Sequence, residues 1–431
     1  MDAIKAVFDF ITGFGPSVMM PIIITILGLA LGAKFGKALR AGITVGIGFI
    51  GINLVIGLLF RNFGPAAEAM VKNWGVTLTA IDVGWSVGAA IAFGTRIGSV
   101  IFIVGLVVNL VMLALKWTKT VDVDLWNYWH WAYTGSLVYT ATGNFLLGII
   151  GAALHAIYCL KVGDITAPVI QKYFGWPDIS IPQGWAATSM LLIWPIFKIL
   201  DLIGLDKGSE AAETRDLEKL RERVGVLGEP VLVGLVMGIV IGLLAYVPAG
   251  LGFQDLLTKI LTLAMDMAAV MLLMPRVVAI LMEGLIPLSD QAREFLQTRF
   301  KGRQFYIGMD SALLIGEPLT LTVGFLLVPV TLILAMILPG NKLLPFGDLA
   351  ATPFFVAMVT PHAKGRFWRT FITGIVIMVI LLYMGTILSP LVTVTAKSIG
   401  FAFPSGATQI GGFANPLGFF IVMIARLLFG R

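Results

Sequence analysis

A chain of 431 residues with 13% charged and 58% hydrophobic side chains, at a mean hydropathy of +0.95, carries too few charges to cover a soluble protein of its size. A single cysteine, Cys159, excludes a disulfide scaffold, and composition excludes disorder and coiled coil, which leaves a polytopic membrane protein. The net charge of +6 calls for no nucleic acid, because lysine and arginine collect in cytoplasmic loops and no basic stripe interleaved with aromatics is present.

The N-terminus is interrupted by Asp2 and Asp9, and no small-residue cleavage site follows, so it does not read as a signal peptide. Ile4, Val7, Phe8 and Ile11 share one helical face, which suits a short helix lying in the interface. About 20 apolar residues are needed to cross a hydrocarbon core of ~30 Å as a helix. Such segments lie near 16–33, 41–60, 97–116, 131–160 and 187–205, then near 231–252, 256–283, 319–338, 343–362, 367–388 and 413–429. The expectation is an all-α protein of about eleven transmembrane helices. The stretch 131–160 is long enough to break at Gly143 or Gly148, and 343–362 is only moderately apolar.

Between the fifth and sixth segments, residues 206–223 read DKGSEAAETRDLEKLRER, with opposite charges at helical spacing such as Asp216 with Lys219 and Glu218 with Arg221. This is a solvated cytoplasmic linker. It divides the chain into a first repeat over 1–205, a linker over 206–230 and a second repeat over 231–431. With the N-terminus outside, nineteen lysines and arginines fall in inside loops and eight outside, which favours N-out and C-in.

Landmarks recur across the linker. AIDVGWSVGAA (80–90) parallels GMDSALLIGEP (308–318), each with Asp six residues before Gly, and IPQG (181–184) parallels FPSG (403–406). Five crossings precede the linker, so the second half enters the membrane from the opposite face. Inverted repeats with broken helices are the architecture of many secondary transporters. The stretches 76–95 and 308–318, rich in small residues, read as re-entrant hairpins lining a cavity.

Asp82, Asp310 and Glu317 lie in or beside these hairpins, where a carboxylate is expensive unless it has a role. They either accept hydrogen bonds from substrate hydroxyls or cap the hairpin helices. Trp85, Ser86 and Ser311 stand next to the two aspartates, and Pro182-Gln183-Gly184 presents a polar side chain at a turn. Tyr139, Thr142 and Asn144 punctuate an otherwise apolar span, so Asn144 is expected to face the bundle interior. His130, His155 and His362 lack metal-ligand spacing, so no metal and no cofactor is expected. Trp126, Trp129 and Trp131, with His130 among them, suit anchors at the membrane interface.

KWTKTVDVDLWNYWHW (116–131), ISIPQGW (179–185), EGLIPLSDQAREFLQTRF (283–300), FYIGMDSALLIGEP (305–318) and AMILPGNKLLPFGDLA (335–350) resemble the galactitol-type membrane component of the bacterial phosphotransferase system. This is the C component of enzyme II in the ascorbate–galactitol superfamily. The resemblance implies a homodimer in the cytoplasmic membrane, in contact with lipid. Each protomer would have a V-shaped dimerising domain and a core domain that moves as an elevator. It also implies a polyol substrate, phosphorylated by a cytoplasmic B subunit that an A subunit supplies, with no catalytic residue on this chain. The substrate contacts it implies are Trp85, Ser86, Tyr139 to Asn144, Gln183 and Asp310. Departures from the galactitol pattern at Gln183 and Glu317 leave the particular polyol open. An ion-coupled transporter using Asp82 and Asp310 is the alternative. A membrane enzyme is disfavoured by the absence of HExxH and of a nucleophile–base pair.

Overall fold

The computed structural model describes residues 16–74, 78–122, 124–204, 230–299, 305–315, 317–401, 409–412 and 414–430. The expected interfacial N-terminal helix, the charged linker and the Pro404-Ser405-Gly406 turn lie outside the described residues. The first half runs α1 (Pro16–Ala30), α2 (Phe35–Trp74), β1 (Ala80–Asp82), α3 (Gly84–Gly94), α4 (Arg96–Ala114) and β2 (Thr120–Asp122). It continues through α5 (Tyr128–Thr142), α6 (Phe145–Phe174), β3 (Ile179–Ser180) and α7 (Gly184–Leu202). The second half has α8 (Pro230–Tyr246), α9 (Phe253–Arg299), β4 (Tyr306–Gly308), α10 (Ala312–Ile315), α11 (Pro318–Ile337) and β5 (Leu343–Leu344). It ends with α12 (Thr352–Val356), α13 (Val359–His362), α14 (Phe367–Ser398), β6 (Gln409–Gly411) and α15 (Pro416–Phe429).

The protein is predominantly helical, and six described helices are long and apolar enough to cross a membrane. Ile43, Ile47, Ile50 and Leu54 on α2, and Val236, Val240 and Leu243 on α8, are exposed at helical spacing and form apolar outer faces. Two expected segments are not single spans. The stretch 131–160 turns back on itself: Gly143, in the left-handed region at φ 68°, ends α5, and Asn144 starts α6 by accepting hydrogen bonds from Leu146 N (2.9 Å) and Leu147 N (3.2 Å). Gly135 then meets Gly148, and Val138 meets Gly151, so the two helices pack side by side. Residues 343–362 form no continuous span, because a strand, a 3-10 turn and two short helices replace it, broken around Pro353 and Pro361.

Helices α1, α2, α8 and α9 pack as one group through close approaches at small residues. Gly46 meets Pro21, Gly48 meets Leu281, Gly51 meets Val277 and Gly238 meets Ala264. Elsewhere the hairpin helix α3 is enclosed by protein, with nine of its residues buried from Gly84 to Gly94. A short helix is tolerated at membrane depth when lipid does not touch it.

Six strands of two or three residues, absent from the expected all-α description, organise the centre. β1 pairs in parallel with β5, Ala80 opposite Leu343, and on its other side with β6, Asp82 opposite Gly411. β4 lies in the same way between β2, Asp122 opposite Gly308, and β3, Ser180 opposite Gly308. Each central strand comes from one half of the chain and both its neighbours from the other. These strands satisfy the backbone groups of the broken segments.

Candidate functional site

A cavity of about 180 Å³ lies between the hairpins and the starts of α7 and α15. Its walls are largely aromatic, from Trp85, Trp126, Trp129, Tyr133, Trp185 and Phe354. Trp85 meets Trp126 edge to face at 6.2 Å, and the indole of Trp185 donates to the Phe354 carbonyl at 3.1 Å. Five polar side chains reach the same space: His130, Gln183, Asp310, Asp348 and Asn415.

Local structure fixes each polar group. Gln183 caps α7, its Oε1 accepting from Ala186 N at 2.7 Å, and Asn415 caps α15, its Oδ1 accepting from Gly418 N at 2.6 Å. In both, the carbonyl oxygen serves the helix and the amide nitrogen is the donor, which in Gln183 faces His130 Nε2 at 3.1 Å. Asp310 accepts from Ala312 N through Oδ1 at 2.6 Å, and its second oxygen has no partner among the described residues. Asp348 accepts from Trp85 N through Oδ1 at 2.7 Å, which ties the start of α3 to the loop after β5. The cavity thus offers amide donors and carboxylate acceptors among aromatic faces, a combination that matches hydroxyl groups, each of which donates and accepts.

Of the ten residues expected at the site, the structure brings Trp85, Gln183 and Asp310 to the cavity. Asp82 lies behind its wall, fully buried. Its Oδ1 accepts from Gly84 N (2.9 Å), and its Oδ2 accepts from Phe346 N (3.0 Å) and Asp348 N (2.8 Å). Gly84, at φ +83°, sits so close to Gly347 that a Cβ on it would lie 2.9 Å from the Gly347 carbonyl carbon, so the clamp closes only around two glycines.

Ser86 is buried in α3, and Ser311 is fully buried with no hydrogen-bond partner for its hydroxyl among the described residues. Tyr139 packs edge-on against Phe145, Thr142 bonds to the Val138 carbonyl, and Asn144 is an exposed cap and not an interior residue. Glu317 caps α11 by accepting from Thr320 N at 2.6 Å, and it also accepts from the Tyr173 hydroxyl at 3.2 Å.

The expected interface tryptophans are inside the protein. Trp131 is fully buried and stacked at 4.3 Å on Tyr128, while Trp126 and Trp129 form cavity wall. Trp126 packs on Phe93, Trp131 on Tyr128, and Trp129 on His130 and Tyr133, which gives these rings a better place than the lipid boundary. Sequence reading missed Asp348, Asn415 and His130. A signal existed for the first two: Asp124-Leu125 and Asp348-Leu349 each lead into a 3-10 turn after an outer strand, and Asn415-Pro416 is a helix-start pair.

Membrane-length apolar helices around a cavity with convergent polar groups fit a permease for a small polar solute. Comparison with known proteins gives the family. Residues 9–406 match the family of phosphotransferase-system sugar-specific permease components, EIIC-GAT, and the chain belongs to it. It is 40% identical over 403 residues to a putative permease IIC component of Escherichia coli K12, covering 94% of this chain and 90% of the relative. It is also 40% identical over 411 residues to the galactitol-specific EIIC component of the same strain, covering 94% of this chain and 86% of the relative. The chain is therefore a multi-pass inner-membrane component of a phosphotransferase system and works with that system's sugar-specific cytoplasmic components.

Proposed function

We propose that this permease carries a sugar alcohol, galactitol or a related polyol, and that the polyol binds in the aromatic cavity before a cytoplasmic B subunit phosphorylates it. The carrying observation is the cavity's chemistry: Asp310 and Asp348 bring acceptors, Gln183 and Asn415 bring amide donors, and tryptophans form the walls. A bare cation takes a shell of oxygens, so the amide nitrogens favour a hydroxylated ligand over the ion-coupled alternative. Among the described residues no cluster of histidine, cysteine and carboxylates could hold a metal ion.

The exchange of strands between halves supports two inverted repeats, 1–205 and 231–431, joined by the linker 206–230. The packed group α1, α2, α8 and α9 would be the V-shaped dimerising domain of a homodimer, and the hairpins with the cavity would be the core that moves as an elevator. The bias of basic residues supports an outside N-terminus and a cytoplasmic C-terminus.

Calorimetry on the purified protein against hexitols, pentitols, sugars and ascorbate tests the reading. One polyol class should bind, and a chelator should leave its affinity unchanged. Absence of polyol binding, or its loss on chelation, would count against it.

A further inference from the structure

Gln183 has four hydrogen-bonding capacities, two at its carbonyl oxygen and two at its amide nitrogen. Ala186 N donates to Oε1 at 2.7 Å, which fixes the orientation of the amide and leaves Nε2 3.1 Å from Nε2 of His130. Two nitrogens share a hydrogen bond only when one carries the proton and the other a lone pair. An amide NH2 has no lone pair to offer, so Gln183 donates and His130 Nε2 accepts. The imidazole proton then belongs on Nδ1, which lies 3.3 Å from the Asn127 carbonyl oxygen, the acceptor this tautomer requires. The ring is also held face-on against Trp129, with centroids 3.7 Å apart. His130 and Gln183 are 4% and 5% exposed, and both line the cavity.

Donation therefore runs one way, from Ala186 N through Gln183 and His130 to the Asn127 carbonyl. One N–H of Gln183 is committed to His130, and one remains. We propose that His130 is a positioning residue: by accepting from Gln183, it holds the amide so that its second N–H serves as a donor to a substrate oxygen. This rests on the reading of the cavity as the polyol site. The consequence is selectivity: at this point the site recognises an oxygen that accepts, and an analogue lacking that hydroxyl loses the contact.

Substitutions at both residues test it, read by calorimetry with the polyol that the wild type binds and by thermal midpoint. His130→Phe keeps a flat ring against Trp129 but removes the acceptor, and affinity should fall roughly tenfold. His130→Gln places a carbonyl oxygen near the former Nε2 position and should restore affinity to within about threefold of wild type. Gln183→Ala should weaken binding, and adding His130→Phe to it should cause no further loss, because His130 acts only through Gln183. Should His130→Phe not fold, Gln183→Glu decides. It keeps an oxygen for Ala186 N but has no N–H for His130 or substrate, so its affinity should fall at least as far.

Normal binding by His130→Phe or by Gln183→Glu would overturn the proposal, as would additive losses in the double variant. Equal weakening by His130→Phe and His130→Gln would assign His130 a merely structural role and overturn it too. A wild type that binds no polyol would instead remove the reading on which the proposal rests.

Discussion

Asp310→Asn should weaken polyol binding roughly 10- to 150-fold, the equivalent of losing a charged hydrogen bond of about 1.5–3 kcal/mol. Asp310 lines the cavity, and one of its oxygens is already taken by Ala312 N, at 2.6 Å. Asparagine keeps that acceptor, and the local turn with it, while replacing the second oxygen by an NH2 that cannot accept from a hydroxyl. The thermal midpoint should therefore stay close to wild type while calorimetric affinity drops. Unchanged affinity would remove Asp310 from the site. Parallel loss of affinity and stability would make it a structural cap.

Asp82→Asn should give the opposite pattern. Three backbone N–H groups, of Gly84, Phe346 and Asp348, converge on this fully buried carboxylate. An asparagine has one oxygen for them, so its NH2 must face at least one N–H, donor against donor. A buried donor left without an acceptor costs about 1–3 kcal/mol. Here the loss falls on the contact that joins the first hairpin to the loop carrying Asp348. A clear drop in thermal midpoint is expected, with binding recoverable in the fraction that stays folded at low temperature. A variant as stable as wild type would show that Asp82 is not the clamp.

These contrasting expectations mark the limit of what the sequence discloses. Asp82 and Asp310 look alike as residues, each six places before a glycine in a hairpin-like stretch. In three dimensions each accepts from the N–H two residues on, at the start of a hairpin helix, but their surroundings differ. Asp82 is the last residue of β1, whereas Asp310 lies two residues beyond the end of β4 at Gly308. A shift of two residues separates a buried clamp from a cavity carboxylate.

Apolar length disclosed most membrane helices, and Gly143 disclosed the break between α5 and α6. The strands were not legible, because segments of two or three residues carry no alternation and their pairing is with the other half of the chain. The tryptophans misled for a related reason. An aromatic-rich segment has the same composition whether it faces headgroups or forms a cavity wall, and only packing distinguishes the two. Motif resemblance reached the family because it draws on many residues at once, whereas Asp348 and Asn415 matter through contacts that no local pattern announces.

Uptake into sealed membrane vesicles that carry this protein, loaded with the cytoplasmic phosphotransferase components and a phosphoryl donor, tests the central claim most directly. With proton and sodium gradients both collapsed, labelled polyol should still accumulate, recovered inside as its phosphate ester, and omission of the phosphoryl donor should stop accumulation. Accumulation of unmodified polyol that follows an ion gradient and ignores the phosphoryl donor would contradict it.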